Sequence, residues 1–372
     1  MIGEARDWAG RHRAEMALSL RITAAGLIAF ALGELLGVQQ VYWVVLTTVI
    51  VMQASVGGSL KATVDRLAGT AAGGLWGAAV AGALPHENLP ETAGALVVAL
   101  VPLAALVAWW PNYRIAPVTA IIVLLVPHGA DSPLAAAIER LLEIALGCAV
   151  ALGVALALTP SRGHRLLSVG AGDALAPIRE QTALLLAGIA EPVDAAAVLA
   201  LHDRIRTVLE RCVAAAGDAA RERASYLSDA PDPDPLVRSL RRISHDLVIL
   251  ARALPAPLPE PVRSRLAEPA QRVAAAVDGH LAAIAEGLKQ GAAPPAFDRV
   301  KQAAAGFDEA IAGVRRDGLI VPLAVEDAER IFGVAFGLQQ LFANIEELAN
   351  RAAEIAGGPP ERTDTAPPTA PA

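Results

Sequence analysis

Along the first 160 positions apolar residues come in long runs; along the rest they return as a stripe every three or four residues. The runs fall at about 16–36, 42–52, 67–84, 93–110, 115–126 and 134–158. Most approach the roughly 20 residues a helix needs to cross hydrocarbon. The second and fifth are short, so they either gain length from small polar residues or follow a broken, re-entrant path. Beyond Pro160 the stripe predicts helices over 166–190, 194–227, 235–254, 261–289, 296–316 and 325–355. The proline clusters SDAPDPDP, LPAPLPEP and GAAPP interrupt them. Asp194 and Asp234 stand where N-caps belong. No strand alternation persists. The expected fold class is all-α: a polytopic membrane protein with six transmembrane helices, followed by a cytoplasmic helical bundle. The expected domains are a cytoplasmic N-terminus (1–13), a six-helix membrane module (14–160), the bundle (161–356) and a disordered Pro- and Thr-rich tail (357–372).

Charge sharpens this division. Only 18 of the 69 charged residues precede position 160, whereas all five Trp do. Arg6, Arg11 and Arg13 flank the first run, Lys61 and Arg66 follow the second, Arg114 follows the fourth, and Arg162 and Arg165 follow the sixth. The intervening connections, GVQQV, PHENLPE and PHGADSP, hold no Lys or Arg. This positive-inside pattern places both termini in the cytoplasm of a multi-pass protein of the plasma (inner) membrane. Arg140, between Glu139 and Glu143, is the exception near an outer end. The first run resembles a signal peptide, but it is long and carries Arg21 and Glu34, so a retained span is expected. A net charge of -7 with no long basic tract argues against nucleic acid as a partner.

The membrane half repeats itself. TVDRLAGTAAGGLWGAAVAGAL aligns with AAIERLLEIALGCAVALGVALAL at an offset of 74, matching Asp65 to Glu139, Arg66 to Arg140, Leu67 to Leu141 and Gly73 to Gly147. The offset covers three spans, an odd number, so the second copy would lie upside down: a 3+3 inverted repeat, as in many secondary transporters.

Within this frame the chemistry is cationic. Arg66, Arg140 and Lys61, with Arg21 next, are the candidate anion-binding residues, because a guanidinium offers a permanent charge and paired donors to a carboxylate. Each has a plainer reading as an interfacial residue snorkelling to water. Gly69, Gly73 and Gly77 share one helix face, which serves helix packing within a subunit or a dimer face. Thr47, Thr48 and Gln53 can bond a substrate or tie helices together. Trp109, Trp110 and Tyr113 fit an interfacial aromatic belt. The seven histidines are scattered, Cys148 and Cys212 fall in different halves, and neither a phosphate loop nor a Gly-x-Ser-x-Gly elbow is present. The pattern therefore predicts no enzyme, no metal site and no cofactor.

The stretch Tyr42 to Gly74 resembles the signature of the fusaric acid resistance and aromatic acid exporter proteins, through Trp43, Gln53, Arg66, Gly69 and Thr70. Glu139 to Pro160 resembles the end of the same module, and the resemblance covers about 14–160. It implies export of small organic anions, often aromatic carboxylates. It also implies a homodimer, because family members often carry two modules in one chain, and a periplasmic adaptor as the usual partner. One module followed by a helical domain is also similar to the aluminium-activated malate transporters of plants, which implies a dimeric anion channel as the alternative. A membrane-anchored regulatory or interaction protein is the second alternative.

Overall fold

The computed structural model describes residues 13–125, 132–158, 163–225 and 228–357, with side chains from Met16 onward. Arg6, Arg11, the connection at 126–131, Arg162 and the tail from 358 lie outside the described residues, as does the side chain of Arg13. Packing divides the chain into two units, Met1–Arg162 and Gly163–Ala372. All regular structure among the described residues is helical.

The first unit contains α1 (Arg13–Leu35), α2 (Val41–Val51), α3 (Val56–Ala83), α4 (Leu89–Trp109), α5 (Ala116–Leu125) and α6 (Pro133–Leu158), with a 3-10 turn at Pro111–Tyr113. Among the described residues three helices are long and apolar enough to cross a membrane: Met16–Leu35, Leu89–Trp109 and Pro133–Leu158. The helices α2 and α5 have 11 and 10 residues. At 1.5 Å per residue they reach about 16 Å, half the hydrocarbon thickness. The unit exposes large apolar side chains and buries several polar ones within its apolar core. Leu20, Leu27, Phe30, Leu75, Val101 and Leu142 are exposed, while Arg21, Thr47, Thr48, Thr63, Arg66, Thr70 and Arg140 are buried. A protein surrounded by water reverses this order; a lipid solvent rewards it, because polar groups must find partners within the chain.

One boundary differs from the sequence expectation. The third helix begins at Val56, well before the apolar run at 67. Ser55 caps it by accepting a bond from the Gly58 amide, and Val56, Gly57 and Ser59 are buried there. Tertiary burial thus overrides the weak helix propensity of VGGSLKAT. Lys61 and Arg66, expected in or beside a loop, are helical, and Arg66 sits about 15 Å from the helix start.

The break between α2 and α3 is sealed by side chains. The Gln53 amide donates to Ser59 Oγ at 2.9 Å, and Arg21 reaches the Ala54 carbonyl at 3.5 Å.

The helix boundaries repeat at the offset of 74. Adding 74 to α1, α2 and α3 reproduces α4, α5 and α6 to within a few residues. Contacts repeat too. The third helix packs on α5 and the sixth on α2; α1 packs on α2 and α4 on α5; α1 meets α6 and α4 meets α3. At the centre, α3 meets α6 reciprocally. Gly74 touches Ala137, and Thr63 neighbours Cys148. Ala137 is the counterpart of Thr63, and Cys148 the counterpart of Gly74. Contact numbers rise along one helix while they fall along the other, so α3 and α6 run antiparallel and the copies exchange by a two-fold axis.

The second unit is a bundle of α7 (Gly163–Ala187), α8 (Ala195–Ala224), α9 (Asp234–Ala253), α10 (Val262–Gln290), α11 (Asp298–Arg316) and α12 (Val325–Ile355). Its single core includes Leu175, Ile178, Leu240, Leu247, Val273, Leu281 and Leu341. Burying each such side chain contributes about 1.5–3 kcal/mol. On α9 the buried Leu236, Leu240, Ile243, Leu247 and Leu250 form one stripe, with Arg238, Arg241 and Arg242 outside it. Asp194 caps α8 through the Ala196 amide. Asp234 is not a cap: it is the first residue of α9, next to Pro235, and its own amide donates to Asp232.

Candidate functional site

Glycine brings the helices of the first unit close enough to bury charge. Gly69, Gly73 and Gly77 face α5 of the same chain. A Cβ at Gly77 would lie 2.8 Å from the Ala120 Cα, and one at Gly73 would run into the Ala116 backbone. These three residues therefore form an internal packing face. In the other copy, Gly147 lies against the Val44 carbonyl and Thr47, and Thr48 Oγ1 lies 2.9 Å from both the Val44 and Gly147 carbonyls.

The candidate cations divide into three settings. Lys61 is 48% exposed and pairs with Asp65 at 2.9 Å, which places it on the surface. Arg21 is buried, and its Nε donates to the Ala17 carbonyl at 3.3 Å while its Nη2 reaches Ala54, so it braces α1 against the α2–α3 break. Arg66 and Arg140, 7% and 5% exposed, are brought together at the α3–α6 contact, within electrostatic range of each other. The antiparallel register sets them roughly 7 Å apart along the helix axes.

Arg140 has company. Its guanidinium carbon sits 3.3 Å over the Trp43 ring, and Nη1 lies 3.4 Å from the Glu143 carboxylate. The Trp43 indole N–H and the Tyr42 hydroxyl both donate to Gln40 Oε1 at 2.9 Å, which fixes the indole. Arg66 has no hydrogen bond, ion pair or aromatic cover among the described residues, and its Nε is buried without a partner. Thr63 and Thr70, one turn to either side of Arg66 on α3, are buried; Thr63 lies against Cys148, whereas the Thr70 hydroxyl, like that of Thr47 on α2, is unpartnered. A buried charge without a partner costs several kcal/mol. Arg66 can donate hydrogen bonds to an anion, with hydroxyls as secondary donors.

Sequence reading named Arg66 and Arg140, gave Thr70 only as part of the family resemblance, and missed Gln40 and Thr63. Small polar residues on an apolar helix carry no signal until a neighbouring helix shows which face is covered.

These features define a helical module with a buried cationic centre and repeat symmetry. Residues 28–154, within the first unit, match the family described as fusaric acid resistance protein-like. The chain is also 28% identical over 182 residues to an uncharacterized protein, YhfK, of Escherichia coli (strain K12). That alignment covers 47% of this chain and 25% of the relative, so the chain matches about a quarter of that protein's length.

Proposed function

We propose that the protein exports small organic anions, aromatic carboxylates in particular, across the plasma (inner) membrane. All six helices of the first unit cross the bilayer or line the path, with α2 and α5 as half-length elements. The termini and the second unit lie in the cytoplasm. Two copies associate, supplying the second module that the sequence resemblance implies.

The observation that carries this reading is Arg66: a guanidinium deep in an apolar-surfaced module, with no counter-charge among the described residues. Hydrogen bonds to a charged group contribute about 1.5–3 kcal/mol, so a passing carboxylate gains a specific stop there. The family match supports transport as the activity.

The test is flux of radiolabelled benzoate in liposomes containing the purified protein under an imposed pH gradient. Accumulation against the electrochemical gradient supports the exporter. Flux that only equilibrates and follows voltage replaces it with an anion channel. Arg66→Gln should reduce flux about tenfold or more at equal protein incorporation. Unchanged flux would remove Arg66 from the mechanism. Rescue of a deletion phenotype by residues 163–372 alone would favour the regulatory role instead.

A further inference from the structure

The inverted repeat makes the surroundings of its two arginines directly comparable, and they do not match. The counterpart of Glu143 is Gly69, the counterpart of Trp43 is Pro117, and the counterpart of Gln40 is Arg114. Lys61 neutralises Asp65 at 2.9 Å, whereas Ala135 stands in the equivalent place and Glu139 has no ion pair among the described residues. At the positions equivalent to these, the Arg66 copy therefore carries Lys61, Arg66 and Arg114 against one carboxylate, Asp65. The Arg140 copy carries one cation against two carboxylates, Glu139 and Glu143. Both of those carboxylates open onto a cleft of about 400 Å³ that Leu36, Leu142 and Leu146 also line. The helix order and contacts are common to both copies, so the comparison turns on the side chains.

We propose that Glu143 is a tethered substitute for the transported carboxylate, held on Arg140 in the position that an exported anion takes on Arg66. Glu143 touches Arg140 from one turn further along α6, with Trp43 closing the guanidinium face. The equivalent turn of α3 presents Gly69, whose missing side chain leaves no carboxylate to do the same for Arg66. One copy is self-neutralised and the other takes its anion from solution. Each chain then holds one exported anion at a time, on Arg66. Beside Arg140 the carboxylates outnumber the cation, and this excess negative charge repels the anion onward instead of holding it. This inference rests on the exporter reading and adds the load per chain and a role for Glu143.

The experiment is equilibrium binding of radiolabelled benzoate to the purified full-length protein, counted per chain, with gel-filtration profiles confirming that each variant is folded. The wild type should bind one benzoate per chain. Arg66→Gln should abolish this binding and Arg140→Gln should leave it. Glu143→Gln, or Glu143→Ala if the first variant fails to fold, should raise the count to two. Adding Arg140→Gln to the Glu143 variant should return it to one. Two benzoates on the wild type, or a count unchanged by either Glu143 variant, would overturn the role of Glu143 and leave the exporter reading standing. No binding to any variant, wild type included, would overturn both.

Discussion

At the scale of single residues, burial decides which titratable groups respond to pH. His280 of the bundle packs edge-on against Phe297, ring centroids 5.0 Å apart, and its Nε2 is buried without a partner. Burial holds its pKa below the ordinary 6.5. The folded state then favours the neutral ring, so the stability it confers is complete above pH 6.5. That stability is lost as pH falls from there towards the depressed folded value. Melting of the bundle, followed by circular dichroism on the full chain, should therefore fall between pH 7 and pH 5, and His280→Met should flatten that slope. An equal slope in both proteins would show that His280 is protonated freely in the folded state. Cys212, pushed up to about 11 by its apolar surroundings, should stay unreactive to thiol reagents at neutral pH. Rapid alkylation of the folded chain, with Cys148 replaced by Ala to isolate it, would contradict the packing around α8.

At the scale of elements, the glycine face of α3 sets how closely helices approach. Gly73→Ala would drive a methyl group into the Ala116 backbone of α5, and overpacking of this kind costs about 1–3 kcal/mol. Gly153→Ala, on α6 with nothing within 4 Å, should be neutral. Thermal aggregation profiles of the two variants in detergent should differ accordingly; equal profiles would mean that α5 moves aside without cost. Glycine spacing made this face readable from the chain. Its partner was not readable, because a small-residue stripe looks the same whether a sister helix or a second subunit covers it. The start of α3 was misread for a related reason. Gly57, Gly58 and Ser59 lower local hydropathy and propensity, and only the Ser55 cap and tertiary burial restore the helix.

At the scale of the whole chain, the two units have separate cores. Residues 163–357 expressed alone should be helical and melt cooperatively, because their buried Leu, Ile and Val contact one another. A broad, non-cooperative melt would contradict that independence. Much of this level was legible. The change from runs to stripes marks the division, and the stripes located the bundle helices to within a few residues, the last of them at Val325–Ile355. Which bundle helices pair was not legible, since periodicity says where a face is and not what covers it. The repeat was legible as a 74-residue offset. Its sharpest content, Glu143 against Gly69, emerges only when Glu143 is found beside Arg140, because an isolated mismatch in a short alignment carries no weight.

The sealed break between α2 and α3 bears on how variants of this protein should be read in cells. Arg21, Ser55 and Ser59 supply the bonds that water would supply to a chain break in a soluble protein. Removing Arg21 breaks its bonds to the Ala17 and Ala54 carbonyls and with them the brace between α1 and the break. An Arg21→Leu strain should therefore lack the activity because the protein fails quality control and never accumulates. An Arg66→Gln strain should lack it while the protein remains abundant. Quantifying the protein in membrane fractions alongside the phenotype separates an arginine that assembles the module from an arginine that serves its cargo.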